Sequence, residues 1–250
     1  MNIAYYDVRI FRYGSKYKVN YINRFASSEL YVPDDDIRED DPVDGKLMNN
    51  LCRAKSNVLA LGLCNPWEHF VTFTLDKKKY DRTNLDVWQR DFSQYIRNQR
   101  RLHGQEIQYL LIPELHKDGE SWHMHGFMSG ISWDSLDEFV PGKHPQRLCT
   151  GEYRWHKGIH EKFGFNSFAP VKNAEAAAKY ALKYVTKSMA ERKDALGAHL
   201  YYCSRGLKRP ELVADGCSTA ILSEVEFGNQ FMSTGWLSKE EVDQLKGVLL

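Results

Sequence analysis

The sequence predicts an α+β fold, and three observations carry that expectation. His69 to Leu75 alternates in the manner of a strand, ending in Thr72, Phe73 and Thr74. Asn84 to Leu102 places Leu85, Trp88, Phe92, Tyr95 and Ile96 at helical spacing. Gln108 to Glu114 and Ser121 to Met128 read as two strands. Asp118-Gly119 between them is the signature of a two-residue type I′ hairpin turn. Strand, helix, hairpin, then a further strand and helix, is the order of an α+β domain.

The remaining elements follow in chain order. Tyr5 to Tyr21 alternates polar and apolar residues around Tyr13-Gly14-Ser15-Lys16 and reads as a β-hairpin. Asp34 to Asp44 is a dense acidic stretch, the pattern of a solvated linker. Lys46 to Cys64 reads as an amphipathic helix leading into Asn65-Pro66-Trp67. Gly164 to Val171 is a further strand, and the alanine-rich helix after it is capped by Asn173. His199 to Cys203 reads as a last strand, and Ser238 to Leu250 as a short helix opening with a Ser-x-x-Glu capping box. This gives an N-terminal hairpin-like segment and acidic linker over residues 1–45, a central domain over 46–210, and a C-terminal appendage over 211–250.

Composition narrows the function classes. A chain of 250 residues is long enough to bury its own core. Cys52, Cys64, Cys149, Cys203 and Cys217 are scattered with no close pair, which predicts a reducing compartment and no zinc ribbon. No apolar run of membrane-spanning length and no signal peptide are present, so a soluble cytoplasmic protein is expected, with no membrane partner. The absence of a GxxxxGK[ST] motif argues against a built-in P-loop helicase. Net charge is only +1, but basic clusters stand out at Lys77-Lys78-Lys79, at Arg97, Arg100 and Arg101, at Lys143 and Arg147, and at Arg205, Lys208 and Arg209. These suit phosphates, with Trp122, Trp155, Tyr201 and Tyr202 as candidates for base stacking.

The hairpin carries the first chemistry. With Asp118 and Gly119 at the turn, Lys117 pairs with Glu120, Glu114 lies opposite His123, and Ile112 lies opposite His125. Opposed residues share a face with Cβ atoms roughly 4.5–5.5 Å apart, and His123 and His125 share it through strand alternation. Glu114, His123 and His125 therefore converge as candidate ligands for a divalent cation, Mg2+ or Mn2+. Its work would be to polarise a phosphate under attack. A three-residue turn would slip the register and move Glu114 to the other face. His116, near the turn and opposite Ser121, is the lesser ligand candidate. Thr72 and Thr74 are expected beside the metal or the nucleic acid in a supporting role.

The second chemistry lies in Tyr180 to Lys187, two overlapping copies of Tyr-x-x-Lys. Tyr180 and Tyr184 share one helix face at i,i+4, and Lys183 and Lys187 each follow a tyrosine by three. An unassisted phenol has a pKa of about 10 and is a poor nucleophile at neutral pH. A cation beside it favours the phenolate, the role assigned to Lys183 or Lys187. A tyrosine pair alone is most often an aromatic stripe on a core. The neighbouring Glu-His-His set is what makes this pair a candidate pair of nucleophiles.

The ordered motifs resemble those of the HUH endonucleases, specifically two-tyrosine rolling-circle replication initiators similar to the gene-A-type proteins of bacteriophages. His69 to Asp76 resembles the first motif, Trp122-His123-Met124-His125-Gly126 the second, and Tyr180 to Lys187 the third, in family order across roughly Asn65 to Arg209. The resemblance implies a central antiparallel sheet with helices on one side and the tyrosine helix facing the histidines. It implies nicking of single-stranded or hairpin origin DNA, leaving a 5′-phosphotyrosine and a 3′-hydroxyl primer, with rejoining by the second tyrosine. Unwinding would fall to a separate host or element-encoded helicase in the bacterial cytoplasm. A transposase with the same chemistry and a non-catalytic origin-binding protein are the alternatives.

Overall fold

The computed structural model describes residues 5–24, 42–104, 106–190, 199–229 and 231–249. The strands in chain order are β1 (Tyr6–Tyr13), β2 (Lys16–Asn23), β3 (His69–Leu75), β4 (Gln108–Leu115), β5 (Trp122–Ser129), β6 (Asp137–Glu138), β7 (Arg154–Trp155), β8 (Gly164–Pro170), β9 (Tyr202–Cys203), β10 (Glu211–Ser218), β11 (Phe227–Gly228) and β12 (Met232–Leu237). The helices are α1 (Pro42–Cys64), α2 (Leu85–His103), α3 (Gln146–Cys149), α4 (Lys157–Lys162), α5 (Ala174–Ala190) and α6 (Lys239–Lys246). The fold is α+β, with two antiparallel sheets in two compact units: residues 44–207, and residues 1–43 together with 208–250.

The central unit is built on a seven-stranded sheet in the order β6-β7-β8-β3-β5-β4-β9. Strand alternation gives each central strand two different faces. On one face Val71, Phe73, Leu75, Leu111, Met124 and Phe168 pack against Leu85, Trp88, Phe92 and Ile96 of α2. Asn84 starts that helix by accepting from the Val87 amide, and Gly104 ends it in the left-handed conformation. On the other face Leu110, Ile112 and Phe127 pack against Ala54, Val58 and Leu61 of α1 and against Ala181 and Val185 of α5.

Helices thus cover both faces of the sheet, where the resemblance implied one. The reason lies in the strands: Tyr109 to Pro113 of β4 are all buried, so neither face of β4 can be left to water. Small residues let α1 and α5 approach closely on the shared face. A Cβ built at Gly62 would lie 2.8 Å from the Ala178 Cβ, so any larger residue there pushes the helices apart. Gly126, directly after His125, has φ +154, and a Cβ there would run into the Leu110 carbonyl oxygen. Only glycine keeps β5 in register beside β4 at that point.

The flanking unit joins segments that the sequence reading took one at a time. Strands β1 and β2 form the expected hairpin, with Tyr13 paired to Lys16 around Gly14-Ser15. Strand β10 then pairs with β1, and β12 with β2, giving the order β10-β1-β2-β12-β11. Val8, Ile10, Val19, Tyr21, Leu237, Val242 and Leu245 form its core. Ser238 caps α6 in the expected capping box with Glu241. Of the acidic stretch, Asp34 to Asp41 lies outside the described residues.

Candidate active site

The hairpin has the expected register and a different turn. Glu114 is paired with His123 and Ile112 with His125. A type I′ turn needs positive φ at both central residues, and among the described residues only glycines have it, so Asp118 does not fit. Instead the His116 amide donates to the Ser121 carbonyl at 2.7 Å, and residues Lys117 to Glu120 form a four-residue loop. The Asp118 Oδ1 accepts from the Glu120 and Ser121 amides at 3.0 and 2.8 Å, fastening that loop. Those donors, Ser121's first, hold the Asp118 carboxyl well below the usual range. Opening a two-residue turn to four residues preserves the pairing, so Glu114 stays on the histidine face.

Two rows of side chains then cross the sheet. Thr72 is paired with His125 on one side and Ser167 on the other, and Thr74 with His123 and Phe165. The Thr72 Oγ1 lies 3.1 Å from the His125 Nδ1, and the Thr74 Oγ1 lies 2.8 Å from the His123 Nδ1. Each threonine therefore fixes one ring by its Nδ1 edge and turns its Nε2 edge away from β3. A hydroxyl both donates and accepts, so it supports either tautomer of its histidine.

The His125 Nε2 lies 2.6 Å from Glu114 Oε2, and the other Glu114 oxygen is engaged by the Lys187 ammonium. The His125 hydrogen bond foremost, with Lys187 assisting, holds the Glu114 carboxyl down at about 2. Burial lowers His123 to about 4, helped by the nearby His116 and His125 rings. Glu114 is thus ionised and His123 neutral at pH 7, the forms that bind metal ions. The donor types suit a hard or borderline divalent cation. Their arrangement is closed, however: Glu114 is shared between His125 and Lys187, and among the described residues no three His, Cys, Asp or Glu side chains are gathered as a metal cluster.

The tyrosine helix faces this group. Asn173 caps it as expected, accepting from the Ala176 amide at 2.9 Å. Ala178, Ala181 and Val185 form its buried seam, which sets the two tyrosines at the edge of the sheet face. The Tyr184 ring stacks on His125 with centroids 4.1 Å apart and planes within 12°. Its hydroxyl donates to the Tyr180 hydroxyl oxygen at 2.9 Å. Burial, then that hydrogen bond, pushes the Tyr184 phenol well above its ordinary range. Tyr180 is 50% exposed and lines a cleft of about 510 Å3 with Glu114, His123, His125 and Lys187.

The lysines do not sit where the sequence assigned them. Lys187 lies on the Glu114 carboxylate, and the Lys183 Nζ lies over the Tyr180 ring face, 5.9 Å from its centroid. His116 has its ring centroid 4.7 Å from that of His123 and also lines the cleft. The opposite wall brings Arg147, Tyr153, Phe165 and Ser167, of which only Arg147 had been singled out, as part of a basic cluster. Pairing of β8 with β3 carries Phe165 and Ser167 there, a non-local event without a local pattern. Among the stacking candidates, Trp122 and Tyr202 are buried in the core, so neither is presented to a base.

Residues 68–189 match the family model for the replication-associated protein ORF2/gene-2 protein. That match supports a Rep-type replication initiator. It begins just before β3 and ends within α5, enclosing both histidines, Glu114 and both tyrosines. It also supports DNA as the partner and a plasmid or phage setting. Neither the curated proteins nor the solved structures gave a match. No described helix is long and apolar enough to cross a membrane.

Proposed function

We propose that the protein is an HUH-type, two-tyrosine initiator of rolling-circle replication that nicks and rejoins single-stranded or hairpin origin DNA. One observation carries this reading: the Tyr180–Tyr184 pair and the Glu114–His125 pair occupy one face, with the Tyr184 ring stacked on His125. In the nicking step the Tyr180 oxygen bonds to the scissile phosphorus as the bond to the 3′ oxygen breaks. The phenol's proton ends on that 3′ oxygen, and no water is consumed. The product is a 5′-phosphotyrosine and a free 3′-hydroxyl. The bond order is conserved, so the step reverses, and Tyr184 serves the rejoining half of the cycle.

The exposed Tyr180 acts first, because Tyr184 is half-buried under it and its phenol resists ionisation. Tyr184 donates to the Tyr180 oxygen, so charge developing there has a donor beside it. Glu114, His123 and His125 would hold a divalent ion, Mg2+ or Mn2+, which supplies charge stabilisation at the scissile phosphate. Thr72 and Thr74 keep both imidazoles aimed. Arg147 and Tyr153 on the opposite wall suit a phosphate and a base of the entering strand. Strand separation falls to a separate helicase, since the chain carries no P-loop. The setting inferred is a bacterial host's cytoplasm.

The engagement of Glu114 by Lys187 favours one second reading, a non-catalytic origin-binding protein. Incubation with a labelled single-stranded origin oligonucleotide and Mn2+ or Mg2+ decides between them. A slow-migrating, protease-sensitive adduct is expected. DNA binding with no adduct in either metal would sink the nicking assignment.

A further inference from the structure

Two of the basic clusters in the sequence meet on the sheet face opposite the tyrosine helix. Helix α2 carries Arg90, Ser93, Arg97 and Arg100 at intervals of three and four residues, which sets them on one stripe. The segment after β9 brings Ser204 and Arg205 against that stripe, although Ser204 lies 104 positions from Arg100. Ser204 is locked in place: its amide donates to the Tyr109 carbonyl at 2.9 Å, and its Oγ accepts from the Tyr109 amide at 3.0 Å. The result is a recess of about 380 Å3, and among the described residues no carboxylate lines it.

The guanidinium groups differ in what holds them. Arg100 donates from Nε and Nη2 to the Ile107 carbonyl, and its Nη2 also lies 3.4 Å from the Ser204 Oγ. It is a fixed cation at the floor. Arg97 is exposed and donates to Gln94 Oε1 at 2.7 Å, and Arg205 is exposed at the rim. Arg90 faces Asp91 at 3.3 Å in a solvent-exposed pair, which offers little neutralisation. Four like charges drawn to one recess repel one another unless an anion lies between them. The stripe from Arg90 to Arg100 spans ~15 Å of helix. That matches the axial rise of roughly four phosphates along one strand of a duplex.

We propose that this recess is a second, sequence-independent DNA site that binds the phosphodiester backbone away from the tyrosines. It rests on the replication reading for the presence of DNA, but its chemistry is independent of nicking. Guanidinium forks match phosphate oxygens geometrically, and contacts of this class position DNA without reading its sequence. The recess would hold DNA flanking the nick while the cleft engages the scissile strand.

The test is the double variant Arg97→Gln with Arg205→Gln, which leaves the structural Arg100 in place. An unchanged melting temperature confirms the fold. Affinity for duplex DNA of unrelated sequences is measured by fluorescence anisotropy across a salt series. Loss of two phosphate contacts should make the log–log salt slope shallower by ~1.8, with similar weakening for every sequence. A slope and affinity equal to the parent's would overturn the site. Inorganic pyrophosphate, titrated in parallel by calorimetry, tests for a small anion instead. Pyrophosphate binding lost in the variant with an unchanged DNA slope also overturns the DNA assignment. Adduct formation in the same samples separates this idea from the nicking reading. Parent and variant that both nick, with equal slopes, overturn the recess alone. A shallower slope in a protein that never forms an adduct supports the recess and overturns nicking alone.

Discussion

The two faces of the seven-stranded sheet are made from the same strands and do opposite work. Along β3, Val71, Phe73 and Leu75 point into a dry core under α2, while Thr72 and Thr74 point to the histidines. Along β5, Met124 joins that same core while His123 and His125 face the cleft. The period of two lets the apolar set fix where the polar set stands. Stability belongs mainly to one face and chemistry to the other. Mutations should therefore separate cleanly by face.

The largest expected effect is on the chemical face. Replacing both tyrosines, Tyr180→Phe with Tyr184→Phe, should abolish the covalent adduct while leaving the melting temperature close to the parent's. Tyr180→Phe alone should cut the first nick far more than Tyr184→Phe, because the exposed phenol acts first. Peptide mapping of the adduct checks this: label on Tyr184 alone in the parent would refute the order. On the dry face Trp88→Ala should cost about 3–5 kcal/mol, since this indole is 1% exposed and stacks on Phe92. Denaturant unfolding measures it, and adduct yield per folded molecule should hold at low temperature. A loss of chemistry without a loss of stability there would break the division between faces.

What the sequence disclosed follows the same division. The strands and helices of the central unit were legible because each presents a continuous apolar face, as Leu85, Trp88, Phe92 and Ile96 do on α2. The Glu114–His123 pairing was legible even though the turn was not a type I′ turn. The Asp118 side chain ties two amides and widens the loop by an even count, which leaves no trace in the register. Less legible was whatever depended on distant pairing. Nothing local in Glu211 to Ser218 announces that it completes a sheet with β1, and Ser167 reaches the cleft only because β8 pairs with β3. The lysines illustrate a further limit. Helical spacing placed Lys187 on the correct face, but a carboxylate across the cleft, not a phenol, attracts its charge.

A smaller effect should come from the threonines, which join the two faces. Thr74→Val keeps the strand and removes the hydroxyl beside the His123 Nδ1. Losing such a ring-orienting partner typically costs 10- to 100-fold in metal affinity or activity. Mn2+ titration of nicking should move by about that factor, with stability changed by under ~1 kcal/mol. A fully active variant with the parent's Mn2+ dependence would mean that packing alone aims the imidazole.

The smallest predicted effect tests the contact that closes the site. In Lys187→Met the ammonium no longer competes for Glu114, so a divalent cation meets a less engaged carboxylate. The Lys187 side chain is 44% exposed, so its pairing is screened and is worth about 0.2–1 kcal/mol. Mn2+ should then bind about 1.4- to 5-fold more tightly to the variant. The acid limb of stability should move as well. A carboxyl held down at about 2 against 4.5 contributes stability that is present above about 4.5 and lost as pH falls through about 2. Without the ammonium the folded-state value rises, so the loss begins at higher pH and the total contribution shrinks. The His125 hydrogen bond, which is the larger cause, keeps part of it. Calorimetric Mn2+ titration at neutral pH and acid unfolding curves measure the two effects separately. An unchanged Mn2+ affinity together with an unshifted acid limb would show that Lys187 does not engage Glu114 in solution, and the cleft would then be open to metal without any rearrangement.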